Sequence, residues 1–385
     1  MTPFDFQPRT RIVFGPGKLA SLGELASELG ARRALVVSDP GVITAGHTAR
    51  GIAALARAGI ETHLFGGLHE NPTTDDVAAG VKVAQRHQPE LLVAIGGGSS
   101  MDCAKGINFV YTGGGEIKDY WGVGKALRPL LPMIAAPSTA GTGSETQSFA
   151  LISDARTHVK MACGDKKAAC RVAVLDPELT LTQPPRVTAL TGIDALSHAL
   201  ETWVTTRRNP ASLAFSREAW RLLAANFSRV LRQPSDLQAR GDMQLGASFA
   251  GLAIENSMLG AAHALANPLT ANYNIPHGQA IAVMLPAVIR FNGHEPSIAR
   301  LYGQLLLESE ADSPLPGPSA GVSGLADFVA GLAAQAGLAT SLQSLDVEKL
   351  RLRPMAAEAA KQWTASFNPR PVAEDDLLAL YEATF

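Results

Sequence analysis

Short apolar runs alternate with amphipathic stretches through the first half of the chain. Residues 34–38 (ALVVS) and 91–95 (LLVAI) read as strands, and the runs at 131–135, 149–153 and 171–175 continue the series. Helical spacing covers 49–58 and 77–87 between them. Strand, helix and strand recurring at this interval predict a parallel, doubly wound sheet. The texture changes after Asp176-Pro177 and the Pro184-Pro185 pair. From Val187 onward nearly every segment has helical spacing and is rich in Ala and Leu. The pattern therefore predicts an α/β domain over 1–183 and an all-α domain over 184–385, with the boundary near Gln183. A stretch rich in Pro, Gly, Ser and acidic residues, 309–324, reads as a surface loop.

Length supports two cores, because 385 residues exceed what one ordinary core encloses. With 46% hydrophobic and 18% charged residues, the chain has ample surface to bury. A formal net charge of -2 gives no electrostatic reason to expect nucleic acid or an anionic membrane as partner. No apolar run approaches the roughly 20 residues needed to cross a bilayer, and the first residues lack a basic-then-apolar leader pattern. Cys103, Cys163 and Cys170 form no CxxC pair, so they read as small buried hydrophobes, and the reducing cytoplasm is the expected compartment.

Two glycine-rich segments follow strands. Ile95-Gly96-Gly97-Gly98-Ser99-Ser100-Met101-Asp102 opens a helix, where bare glycines let backbone approach a ligand and free N–H groups attract a pyrophosphate. Met101 stands where the usual dinucleotide fingerprint has its third glycine. Ser138-Thr139-Ala140-Gly141-Thr142-Gly143-Ser144-Glu145 brings hydroxyls to a second strand end, so that both loops point to one ligand crevice. Asp39, at another strand end, suits a ribose diol, and it suits a helix cap equally well.

The second half carries a different chemistry. Asp194 and His198 are four apart and share a helix face. His263 lies in the apolar segment Gly260–Asn267, where an imidazole needs a defined partner. His277 sits between Pro276 and Gly278. One carboxylate and three imidazoles can close around a divalent ion, although spacing alone leaves a solvated Asp–His pair and a core histidine open.

These motifs, in this order along nearly the whole chain, resemble the iron-containing (group III) alcohol dehydrogenases, which include lactaldehyde reductases and propanediol dehydrogenases. The resemblance rests on Arg11-Ile12-Val13-Phe14-Gly15, Asn71-Pro72-Thr73, Gly96–Ser99, the segment 137–145, Asp176-Pro177-Glu178-Leu179-Thr180, Thr191–His198, the His263 segment, Pro276-His277-Gly278 and Asn368-Pro369-Arg370-Pro371. It implies an N-terminal dinucleotide domain, a helical C-terminal domain and an active site in the cleft between them. It implies Asp194, His198, His263 and His277 as ligands of one divalent metal, with iron expected and zinc an alternative. Asp39, Asn71, Gly97, Gly98, Ser99, Ser138, Thr139, Thr142 and Lys160 fall on positions that contact NAD, and Phe149 and Ile254 on positions near the substrate.

One departure stands out. The family reads His-Ala-Xaa-Ala-His-Pro-Xaa-Gly around the third ligand, and here Asn267 replaces the second histidine and Thr270 the glycine. That histidine is implicated in proton movement, so Asn267 becomes the candidate catalytic residue, with Pro268 predicted to end the helix and leave its amide free. The activity implied is hydride transfer between NAD and a metal-bound alcohol or aldehyde, in a homodimer or larger homo-oligomer. Relatives on the same scaffold (a glycerol dehydrogenase, a maleylacetate reductase or a dehydroquinate-synthase-like enzyme) are the rivals, with a catalytically silent nucleotide-binding protein behind them.

Overall fold

The structure, a computed structural model, describes residues 3–157, 159–307 and 317–385. Contacts divide the chain into two compact units, Gln7–Gln183 and Pro184–Phe385, the second of which takes in the N-terminal stretch to Phe6. There the Phe6 ring centroid lies 5.9 Å from that of Phe215.

The first unit holds β1 (Arg11–Phe14), α1 (Leu22–Glu28), β2 (Arg33–Val37), α2 (Pro40–Thr44), α3 (His47–Arg57), β3 (Glu61–Phe65), α4 (Thr74–His87), β4 (Leu91–Gly96) and α5 (Gly98–Gly113). It continues with β5 (Gly122–Val123), β6 (Met133–Pro137), β7 (Phe149–Ser153), β8 (Lys160–Gly164) and β9 (Val172–Leu175). Six strands form a parallel sheet in the order β1-β9-β6-β4-β2-β3.

Alternation along each strand divides its side chains between two cores. Ala34, Val36, Leu91, Val93 and Ile95 pack with Leu22, Leu25 and Leu55 of α1 and α3. Leu35, Val37, Leu92 and Ala94 pack on the other side with Val77, Met101 and Ile107 of α4 and α5. Burial on both faces is why these strands read as unbroken apolar runs. All three cysteines are buried, and burial raises each thiol, that of Cys170 to about 11.

The strand order reverses direction beside β2: the chain adds β3 on one side, then β4, β6 and β9 on the other. Ligands of open parallel sheets bind outside strand C-termini at such a reversal. Asp39 follows β2 and the first glycine loop follows β4, so both flank it.

One expectation is corrected. The run 149–153 is a strand but lies outside the parallel sheet. It pairs antiparallel with β8 in a separate three-stranded sheet ordered β5-β8-β7. A connection of a few residues, with Asp154 bonded to Val159, suffices for an antiparallel hairpin and is too short for a parallel crossover.

The second unit holds α6 (Pro185–Val204), α7 (Pro210–Arg232), α8 (Leu237–Glu255), α9 (Ala261–Tyr273), α10 (His277–Gly293), α11 (Pro296–Leu307), α12 (Gly321–Gln335), α13 (Leu352–Ala360) and α14 (Glu374–Ala383). No strand occurs in it among the described residues, as the helical spacing predicts. Of the expected loop 309–324, residues 309–316 lie outside the described residues, and the chain is already helical from Gly321. Among the described residues no helix is long and apolar enough to cross a membrane.

Candidate metal and cofactor sites

Helix α6 begins with Pro185 in its first position, where a missing N–H is no loss. From Gly192 to Val204 every residue is buried, which makes α6 a core helix rather than an amphipathic surface one. Asp194, His198 and Glu201 stand at i, i+4 and i+7 on one face of it.

Helix α9 brings His263 to that face. Its N-cap, Gly260, has no side chain, so remote groups satisfy the first free N–H donors. Asn368 Oδ1 accepts from the Ala261 N–H at 3.2 Å, and Glu201 Oε1 from the Ala262 N–H at 2.8 Å. His263 is the next residue, and its Nδ1 bonds to Glu201 Oε2. His277 is the first residue of α10, immediately after the N-cap Pro276.

The four predicted ligands converge. Asp194 Oδ1 lies 3.5 Å from His198 Nε2, 3.7 Å from His263 Nε2 and 3.6 Å from His277 Nε2. The Nε2 atoms of His198 and His263 are 3.1 Å apart. Asp194, His263 and His277 have ligand atoms all within 4.8 Å of one another, and His198 joins them through Asp194 and His263.

This donor set fits a metal ion. Four donors about 2.0–2.1 Å from one tetrahedral ion lie about 3.4 Å apart, and the three Asp194 separations and the His198–His263 one bracket that value. Asp194 Oδ1 is buried without a hydrogen-bond donor, which an oxygen facing three imidazole nitrogens tolerates when a cation completes the group. The electrostatics agree. Burial opposes ionisation of Asp194, yet His198, His263 and His277 outweigh it and hold the carboxyl well below its usual range. Burial likewise opposes charge on His263, but Glu201 and Asp194 prevail and raise it to about 9.

In the α/β unit the two glycine-rich loops pack against each other. A β-carbon on Gly97 would stand 3.2 Å from Thr139 Cγ2, and one on Gly98 would stand 2.7 Å from Thr142 Cγ2. The Ser138 N–H donates to the Gly96 carbonyl at 2.9 Å, tying the loop after β6 to the end of β4. Asn71 adopts a left-handed conformation, φ 53°, and its N–H donates to Ser99 Oγ at 3.2 Å. The α5 N-terminus is thus surrounded by Asn71, Ser138, Thr139 and Thr142. Asp39 caps α2 through the Val42 N–H at 3.0 Å, and its second oxygen accepts from Ser100 Oγ at 3.0 Å. The capping alternative is therefore realised, with the carboxylate still turned to the glycine loop.

Lys160 opens β8, and its ammonium acts on Asp102, whose carboxyl is nonetheless raised because burial dominates. Phe149 opens β7, its ring filling the space that a side chain on Gly164 would take. Ile254 is buried near the end of α8.

The expectation for Asn267 is corrected in two respects: the helix does not end at Pro268, and the amide is not free. Pro268 does not end the helix: α9 runs on to Tyr273. Proline removes one N–H, but Pro268 and the residue after it, Leu269, are both buried, and their packing offsets the lost bond. The Asn267 amide donates to Gln362 Oε1 at 3.0 Å.

Sequence reasoning missed three groups. Glu201 was readable as the third member of the Asp194 and His198 face. Lys105 was readable as a lone cation on an apolar helix: its buried ammonium donates to the Ser144, Gln147 and Phe149 carbonyls and to Ser144 Oγ, pinning the second loop to α5. Gln362 had no local signal.

The chain is similar to known proteins along its whole length. Residues 8–177 match the family described as "Iron-containing alcohol dehydrogenase", and residues 188–385 match "Fe-containing alcohol dehydrogenase family, C-terminal". A 1,3-propanediol dehydrogenase of Klebsiella pneumoniae is 34% identical over 389 residues, covering 99% of each chain. The crystal structure of a 1,3-propanediol oxidoreductase superposes with a TM-score of 0.93 at 33% identity over the whole of both chains. That of sulfoacetaldehyde reductase from Bifidobacterium kashiwanohense in complex with NAD+ has a TM-score of 0.88 at 26% identity, covering 100% of this chain and 99% of that one.

Proposed function

This chain belongs to the iron-containing alcohol dehydrogenase family, and from that premise we propose that it is an NAD-dependent and metal-dependent alcohol dehydrogenase that also runs as an aldehyde reductase. The observation that carries the reading is the convergence of Asp194 Oδ1 with the Nε2 atoms of His198, His263 and His277.

Those four residues would hold one divalent ion, iron or zinc, since imidazole and carboxylate suit both. A divalent ion held there would supply Lewis acidity, favouring deprotonation of an alcohol hydroxyl and polarisation of a carbonyl. NAD, when bound, would supply the hydride acceptor, the balance being alcohol and NAD+ to aldehyde, NADH and a proton.

The chain's own residues supply binding and field. The α5 N-terminus, bare at Gly97 and Gly98, offers N–H groups to a pyrophosphate. Ser99, Ser138, Thr139 and Thr142 add hydroxyl donors, and Lys160 a cation. Asp39 accepts from ribose hydroxyls and disfavours a 2′-phosphate. Phe149 and Ile254 are apolar contacts suited to a small substrate. Asn267, held by Gln362, orders water or substrate without titrating near neutral pH.

Metal analysis combined with NADH oxidation tests this reading, using short aldehydes and 3-hydroxypropanal, the aldehyde of 1,3-propanediol. The expected result is one divalent ion per chain and turnover that disappears in His263→Ala. Full turnover by that variant, or by chelated metal-free protein, overturns the proposal.

A further inference from the structure

The ligand reading leaves Glu201 without a task, although it is buried beside the site. Its two oxygens do different things. Oε1 accepts the Ala262 N–H at 2.8 Å, in the first turn of α9, and Oε2 bonds His263 Nδ1. A carboxylate only accepts hydrogen bonds, so Nδ1 is the donor and carries the proton. A metal ligand must be neutral, so on ligation the ring gives up the proton on Nε2 and keeps the one on Nδ1. The Nε2 atom faces Asp194 Oδ1 at 3.7 Å and His198 Nε2 at 3.1 Å.

We propose that Glu201 is the positioning residue of the metal centre, fixing with one carboxylate both the start of α9 and the tautomer and orientation of His263. The proposal rests on the four-residue metal reading above. Three structural facts support it. Glu201 follows Asp194 by two helical turns, so α6 carries the carboxylate that faces His263 from each side. Gly260 has no capping side chain, which makes Glu201 and Asn368 the acceptors for the opening N–H groups of α9. A β-carbon on Gly260 would stand 3.1 Å from Glu201 Oε1, so the glycine keeps room for the carboxylate.

Partners of this kind raise metal affinity by orienting the ligand ring, and their loss weakens binding about 10–100-fold. Glu201→Gln keeps the shape but presents an amide donor to one of two N–H donors. His263 then relieves the clash by turning its ring or moving its proton to Nε2, and either change blunts the ligand. Asn368→Ala separates this role from a merely structural one, because it removes the acceptor of the Ala261 N–H and leaves the imidazole untouched.

The test titrates zinc into metal-stripped parent, Glu201→Gln and Asn368→Ala proteins. The parent should take up one equivalent, Glu201→Gln should bind zinc about 10–100-fold more weakly, and Asn368→Ala should melt earlier with unchanged zinc affinity. The zinc-loaded parent should also show a downfield, exchange-protected Nδ1–H resonance from His263 that Glu201→Gln lacks. Should Glu201→Gln fail to fold, Glu201→Asp keeps the charge but shortens the reach, and it should weaken zinc in the same direction. Unchanged zinc affinity in the Glu201 variants, or an equal loss in Asn368→Ala, overturns the proposal. A parent that binds no zinc overturns the four-residue reading as well.

Discussion

Gly278 lies directly against Leu190: a β-carbon built on Gly278 would stand 2.1 Å from the Leu190 carbonyl oxygen. That contact lets the first turn of α10 rest on the backbone of α6, and His277 is the residue just before it. Gly278→Ala must push the two helices apart. It should cost about 1–3 kcal/mol of stability, as overpacking does, and weaken metal binding by moving His277 from Asp194. Chemical denaturation and a zinc titration check both effects; a variant that melts like the parent and binds zinc as tightly would remove the proposed role of this contact.

Asp39 divides its oxygens between the α2 cap and Ser100. A cofactor 2′-phosphate beside it would suffer like-charge repulsion of about 1–3 kcal/mol in a partly desolvated site. Asp39→Gly should therefore raise kcat/KM with NADP while changing stability by only a few tenths of a kcal/mol, since glycine is an acceptable N-cap. Equal kcat/KM for NAD and NADP in the parent would leave Asp39 as a cap alone.

Asn267 donates to Gln362 and does not titrate near neutral pH. Asn267→His should add an ionisation near about 6.5 to the kcat–pH profile without changing metal content. Asn267→Ala distinguishes catalysis from anchoring, because it should lower kcat if the amide positions a reacting group. Superimposable profiles for parent, histidine and alanine variants would exclude the position from proton movement.

Asp76 gives a pH dependence of stability that is independent of the metal. Burial opposes its charge, but hydrogen bonds from the Thr73 N–H, from His69 and from the Thr73 hydroxyl prevail and lower its pKa below the ordinary 3.8. A lowered folded-state value means that this stabilisation is complete above the unfolded carboxylate range. It is lost as pH falls through the lower folded value. Asp76→Asn should lose about 1 kcal/mol at pH 7, the size of a helix-capping interaction, and differ less from the parent near pH 3. Urea midpoints at the two pH values decide it; a constant difference would be the contrary result.

The central strands were legible because burial on both faces writes them as unbroken apolar runs. β3, with Glu61, Thr62 and His63, lies at the sheet edge and carries polar side chains, so its pattern is mixed. The strand at 149–153 was legible as a strand but not in its partner, since an apolar run does not encode the direction of pairing. Asp194 and His198 could be paired by spacing alone. Their meeting with His263 and His277 depends on how α9 and α10 pack on α6, which local sequence does not encode, and the family resemblance supplied it. Glu201 was overlooked because an acidic residue on a helix is ordinarily a solvated one. The bond between Asn267 and Gln362 spans 95 residues and has no local signal.

The placement of Asp194, His198 and Glu201 on one helix has a mechanical consequence. At 1.5 Å rise per residue the three α-carbons span roughly 10 Å of a single rod. Any slip of that rod by one residue rotates the whole set by about 100° and removes it from His263 and His277 together. The centre thus has no half-assembled form in which α6 contributes one group and withholds the others. Its occupancy should report the seating of one helix as a switch reports a contact, closed or open.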